Sequence, residues 1–251
     1  MYPAPGIVER IGPDWDWLWL DGQHGQIAGY DQMLAMVRAC DLIQRPAYVR
    51  VPACDPSRIG LALDMGAAAV IVPQIDTVEQ AQAAVRAGKF PPLGNRSYGG
   101  RRASDLHGRS YHVDYKQKLV CQIESPEALE KVEQIAAVDG VDALFLGPDD
   151  LMLRCGHTLS VAPSREELNA AITAVAKACL RNDKDCICVG TTPETTALCL
   201  SLGVNYIVAG SDVGFLAGSS RNVSALSRHA LEDALAKGGI DENSGIQTSI
   251  Y

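Results

Sequence analysis

The sequence predicts an α/β protein of the (β/α)8 TIM-barrel type, one strand short of eight. Three observations predict it. Seven short apolar runs have strand length, amphipathic helical stretches separate them, and no long polar linker divides the chain. At 251 residues and 47% hydrophobic content the chain can bury one large core, and barrels reach this length as single domains. The expected organisation is one barrel domain over residues 1–240, including a C-terminal helix, and a polar tail at 241–251.

Residues 5–11 read as a first helix, so the opening strand of an eight-stranded barrel is expected to be absent or replaced by other contacts. Strands are predicted at 16–21, 47–51, 69–73, 119–124, 143–147, 186–190 and 206–209. Helical patterns at 56–65, 78–86, 126–137, 164–181 and 192–202 alternate with them, several opening on Ser, Thr or Asp beside Pro or Glu, as helix caps do. Segment 91–117 carries Gly, Arg and aromatic residues with little periodicity, and is expected to be a long loop over one barrel face. Within it, 94–102 has the glycines of a phosphate-cradling loop but lacks the Lys-Ser/Thr ending of a P-loop, and is expected to cover the barrel mouth.

Charge and composition narrow the partners. Thirty acidic against 22 basic residues, a net charge of −8, give no basic excess for a phosphate backbone. Nucleic acid is not expected. The longest apolar runs are strand-sized, far below the roughly 20 residues that cross a bilayer, so no membrane span is expected either. No secretory leader pattern opens the chain, and most of the eight cysteines sit among apolar neighbours. A reducing cytoplasm is the expected compartment. Cys186 and Cys188 lack a second pair at zinc spacing and read as structural thiols. His107, His112, His157 and His229 have no ligand spacing and are expected at the surface.

A β/α barrel carries its active site at the C-terminal ends of its strands. Polar residues ending the apolar runs are Asp21 with His24 just beyond, Arg50, Gln74, Gln122 with Glu124, Asp149 with Asp150, and later Asp212. Carboxylates with open water positions suit a hard octahedral ion such as Mg²⁺ or Mn²⁺, whereas zinc would call for more His or Cys. Read alone, Glu124 and Asp150 also fit solvated strand-end carboxylates or a glycosidase pair, Asp21 and His24 fit a capped surface turn, and Arg50 fits a buried structural ion pair.

The runs Trp17-Leu-Trp-Leu-Asp21-Gly-Gln-His24-Gly, Val49-Arg50-Val-Pro, Asp64-Met-Gly-Ala, Val72-Pro-Gln74, Gln122-Ile-Glu124 and Phe145-Leu-Gly147-Pro148-Asp149-Asp150-Leu occur in that order. Together they resemble the HpcH/HpaI aldolase family of class II, metal-dependent pyruvate aldolases, over roughly residues 14–221. The resemblance implies a barrel of the phosphoenolpyruvate/pyruvate type, with Glu124 and Asp150 ligating Mg²⁺ or Mn²⁺, or Co²⁺. Arg50 would contact the keto oxygen of pyruvate and Gln122 would line its pocket. The turn Gly147-Pro148-Asp149-Asp150 would offer backbone N–H groups to the substrate carboxylate. His24, oriented by Asp21, would move the proton, and Asp64 would reach that histidine from a neighbouring subunit. The implied assembly is a homo-oligomer, a hexamer or trimer of dimers, joined through a C-terminal helix at 223–236.

The implied reaction is reversible cleavage of a 4-hydroxy-2-oxo acid to pyruvate and an aldehyde through a pyruvate enolate held at the cation. A cation and an arginine stabilise the oxyanion, and a histidine can take the hydroxyl proton near neutral pH. Oxaloacetate decarboxylation through the same enolate, and a non-catalytic barrel binding small acids, are the alternatives. Two positions depart from the family pattern. Gln23 stands where Glu is usual, and Met152 where a small Ser is favoured.

Overall fold

In the computed structural model, which describes residues 1–27, 29–159 and 165–236, every strand runs the same way. The chain opens with α1 (Pro5–Ile11) and a 3-10 turn. Strand β1 (Leu18–Asp21) leads to α2 (Tyr30–Leu42), β2 (Ala47–Arg50) to α3 (Pro56–Asp64), and β3 (Ala69–Val72) to α4 (Val78–Gly88). Two short helices, α5 (Arg101–His107) and α6 (Tyr111–Asp114), precede β4 (Lys118–Ile123). After α7 (Pro126–Glu130) and α8 (Val132–Ala136) come β5 (Ala143–Leu146), α9 (Pro148–Arg154) and α10 (Arg165–Arg181). Strand β6 (Asp185–Val189), α11 (Pro193–Ser201) and β7 (Tyr206–Val208) complete the first of two compact units, which ends at Ala209. The second unit begins at Gly210 and contains the long helix α12 (Asp212–Ala236).

The seven strands form one sheet in chain order, each parallel to the next. Alternation along each strand sorts the side chains onto two faces. Val49, Val70, Val72, Leu119, Cys121, Ile123, Leu144 and Leu146 pack outward into a core shared with the helices. Tyr48, Ile71, Val120, Phe145 and Ile187 face inward, with Trp17, Trp19 and Tyr206 beside them. The sheet curls around this inner cluster, bringing Trp17 edge-on to Tyr206 at 5.7 Å and Trp19 to Phe145 at 5.1 Å. Lys118, paired with Asp185 at 2.5 Å and with the Tyr206 hydroxyl at 3.0 Å, adds a polar layer at the strand starts.

The seven expected strands are therefore present as a curled, all-parallel sheet with helices outside. The expected helix at 126–137 is interrupted at Lys131 (φ −102°, ψ 7°), and the helix expected at 223–236 begins earlier, at Asp212. The tail expected at 241–251 and the first residue of the helix expected at 164–181 lie outside the described residues. No helix among the described residues is long and apolar enough to cross a membrane.

Candidate active site

Inward parity continues to the strand ends, where it changes character. Trp19 and Asp21 on β1, Tyr48 and Arg50 on β2, and Val120 and Gln122 on β4 alternate inward, so each apolar inner residue is followed by a polar one at the rim. Asp21 and Arg50 are register partners. The guanidinium donates from Nε to Asp21 Oδ1 at 2.8 Å and from Nη2 to Oδ2 at 2.7 Å, a bidentate pair. Its remaining nitrogen, Nη1, faces Gln122 Oε1 at a long 3.5 Å. Burial alone would raise the Asp21 carboxyl, but the Arg50 hydrogen bonds and charge outweigh it and hold the group below the usual carboxylate range.

Asp21 Oδ1 also accepts the backbone N–H groups of Gln23 at 3.0 Å and His24 at 3.3 Å. The carboxylate thus shapes the turn carrying His24 through its backbone, and the exposed His24 side chain stands beyond it.

Glu124, one residue past β4, is fully buried. Its Oε1 accepts the Gln74 backbone N–H at 2.7 Å, while Oε2 is buried with no partner. Burial pushes the carboxyl up to about 7, with the nearby Asp150 charge adding to the rise. Two backbone features build this recess. Gln74 adopts φ 55°, a left-handed conformation that costs a side-chain-bearing residue about 1–2 kcal/mol, and from it the Gln74 N–H reaches Glu124. At Gly147 a Cβ would stand 2.7 Å from both Glu124 Oε2 and Gln122 Nε2.

An orphaned carboxylate oxygen, a second carboxylate nearby and a cradle that excludes a methyl group could hold a hard divalent cation. The oxygen donor set suits Mg²⁺ or Mn²⁺ better than zinc. Among the described residues no group of three or more His, Cys, Asp and Glu is placed for a metal. A cation here would have two protein carboxylates, leaving its other positions to water or substrate oxygens.

The remaining expected residues divide. The Gly147 N–H is committed to Ile123 O at 2.9 Å and Pro148 has none, so the turn can offer N–H groups only from Asp149 and Asp150. Met152 is buried in the outer core, so its departure from the family pattern changes packing beneath α9. Asp212 opens α12 in the second unit. Asp76, absent from the expected set, accepts from Ser125 Oγ at 2.5 Å and pairs with Arg154 at 3.2 Å, tying α9 to the loops after β3 and β4.

The expected mouth-covering loop is misplaced. Segment 91–117 joins the end of a helix to the start of a strand, which puts it at the amino-terminal ends of the parallel strands, opposite Glu124. Gln117 donates to Leu63 O at 2.8 Å and Ala67 O at 2.7 Å, and Arg102 to Met65 O at 2.6 Å. Asp64, the last residue of α3, lies on that same side in a 2.5 Å ion pair with the buried Arg96. It does not join the site of its own chain.

A model described as HpcH/HpaI aldolase/citrate lyase matches residues 7–217. The chain belongs to the HpcH/HpaI aldolase/citrate lyase family. Among its curated relatives, a 2-dehydro-3,6-dideoxy-6-sulfogluconate aldolase of Pseudomonas putida is 34% identical over 86% of either chain. A hydroxypyruvate/pyruvate aldolase of Cupriavidus necator is 33% identical over 88% of this chain and 83% of its own. The crystal structure of an HpcH/HpaI family protein from Burkholderia cenocepacia superposes with a TM-score of 0.82 at 27% identity, covering 91% of this chain and 93% of the other. The family is the one expected from the ordered motifs.

Proposed function

We propose that this family member is a metal-dependent aldolase, a carbon–carbon lyase that reversibly cleaves a 4-hydroxy-2-oxo acid to pyruvate and an aldehyde. The observation that carries the reading is the orphaned Glu124 Oε2 beside Asp150, at the rim where Arg50 and Gln122 converge. The aldolase names of the relatives supply the reaction class. A divalent cation held by Glu124 and Asp150 would withdraw electrons from the 2-oxo group and stabilise charge developing on its oxygen.

The protein's own groups do the rest. Arg50 Nη1 offers a fixed donor to that oxygen, and Gln122 bounds the same pocket. His24, placed by the Asp21 turn, takes the proton from the 4-hydroxyl as the C3–C4 bond breaks and returns it in the aldol direction. Asp64 can serve a site only in another copy, because it stands at the opposite end of the strands. That role would need a homo-oligomeric assembly, and the curled, all-parallel sheet of seven strands is in keeping with a barrel of the (β/α)8 type.

Pyruvate formation from racemic 4-hydroxy-2-oxo acids, followed with lactate dehydrogenase, tests the reading. It is expected to require Mg²⁺ or Mn²⁺ and to stop in EDTA; full activity in chelator would sink the metal assignment.

A further inference from the structure

Arg50 is held on one edge and one face, and the face is the less obvious constraint. Asp21 occupies Nε and Nη2, which fixes one edge of the guanidinium. A planar group gripped along one edge can still rock about that edge. Nη1 has only Gln122 at 3.5 Å, outside the ordinary 2.7–3.2 Å range, so that bond restrains it weakly. What meets the face is Trp19, whose ring centroid lies 4.7 Å from Arg50 Cζ. The indole is itself braced edge-on by Phe145 at 5.1 Å and 81°. Trp19 precedes Asp21 by two residues, so strand alternation puts indole and carboxylate on the same inner face, one against the plane of the guanidinium and the other against its edge.

We infer that Trp19 is a positioning residue acting through Arg50: its indole face sets the guanidinium plane so that Nη1 stays directed at the rim beside Gln122. The inference rests on the aldolase reading for what Nη1 meets there, the oxygen of a planar 2-oxo acid. The physical case has two parts. A guanidinium is weakly hydrated and stacks on aromatic faces, so an indole lets Arg50 stay 95% buried without a further hydrogen-bonding group. The ring's quadrupole attracts the cation, which an aliphatic side chain of similar volume does not reproduce. Trp19 is also the feature of the site with a direct spectroscopic handle, since the chain has only three tryptophans.

Three proteins decide it: wild type, Trp19→Phe, which keeps an aromatic face, and Trp19→Leu, which keeps apolar bulk without one. Each is assayed with Mn²⁺ for binding of oxalate, a planar dianion probe, by calorimetry, and for exchange of pyruvate methyl protons in D2O by NMR. Melting temperatures are measured alongside. Trp19→Leu is expected to weaken oxalate binding and raise KM for pyruvate by about tenfold, the scale of a desolvated cation–π contact. Trp19→Phe is expected to stay within about threefold of wild type. In a Trp15→Phe, Trp17→Phe background, oxalate is expected to change the Trp19 emission. A Trp19→Leu protein that matches Trp19→Phe, whether both resemble wild type or both lose binding in step with melting temperature, overturns the inference and leaves Trp19 as packing. A wild type that neither binds oxalate nor exchanges protons overturns the aldolase reading, and this inference with it.

Discussion

Asp21 and Arg50 stand opposite one another in register across β1 and β2, and the carboxylate grips the guanidinium through both Nε and Nη2. Breaking a buried pair by removing one partner costs about 3–5 kcal/mol, because the other charge is left uncompensated. Asp21→Ala is expected near the lower end, since the Asp21 side chain keeps 16% exposure. Chemical denaturation measures the loss, and pyruvate exchange is expected to fall with it as Arg50 and the His24 turn both lose their anchor.

The same pair sets an acid limb. The folded-state carboxyl lies below its ordinary value, so its stabilisation is complete above the unfolded pKa of about 4 and is lost as pH falls through the folded value. Asp21→Asn is expected to flatten the stability profile below about pH 4. An unchanged profile would show that other carboxylates govern acid unfolding.

Glu124 has the opposite sign. With its carboxyl pushed up to about 7, the metal-free fold takes up a proton there that the unfolded chain releases near pH 4.5. Stability therefore declines as pH rises between those values and stays reduced above about 7. Glu124→Gln is expected to raise the melting temperature of EDTA-treated protein at pH 8 while abolishing Mn²⁺ binding. In wild type, Mn²⁺ affinity measured by electron paramagnetic resonance is expected to climb up to about pH 7, as the competing proton leaves.

Gly147 offers a purely steric test. A methyl group there would meet Gln122 Nε2 and Glu124 Oε2 at 2.7 Å. Gly147→Ala is expected to weaken Mn²⁺ binding by about 10–100-fold, the range for disturbing groups that orient metal ligands. Circular dichroism is expected to remain native.

Asp64 and Glu124 lie at opposite ends of the strands, which allows a complementation test. Asp64→Asn and Glu124→Gln proteins, each expected to be inactive alone, are mixed under conditions that exchange subunits. If Asp64 serves a neighbour's site, roughly a quarter of the sites regain both groups by random assortment. Silence after verified exchange would confine Asp64 to its pairing with Arg96.

Much of this site was legible because strand alternation is simple. Asp21, Arg50 and Gln122 follow apolar residues of matching parity, and Glu124 ends the same run, so counting by twos to the end of each strand finds them. Gln74 was found as a strand end, but its contribution is a backbone N–H delivered from a left-handed conformation, and side-chain chemistry does not announce that. Trp19 reads as one more apolar strand residue until Arg50 is seen against its ring. The composition of 94–102 misplaces it: glycines and arginines suggest a mouth, whereas its position between a helix and the next strand puts it on the far side. The interruption at Lys131 had no turn residue to signal it.

An Asp64 that serves a neighbour's site carries a consequence for any laboratory that dilutes this protein. A group serving a reaction from the far end of another molecule is present only while the two remain together. Specific activity would then cease to be a fixed property of each chain: below the dissociation range it would fall with concentration, and crowding agents that favour association would restore it.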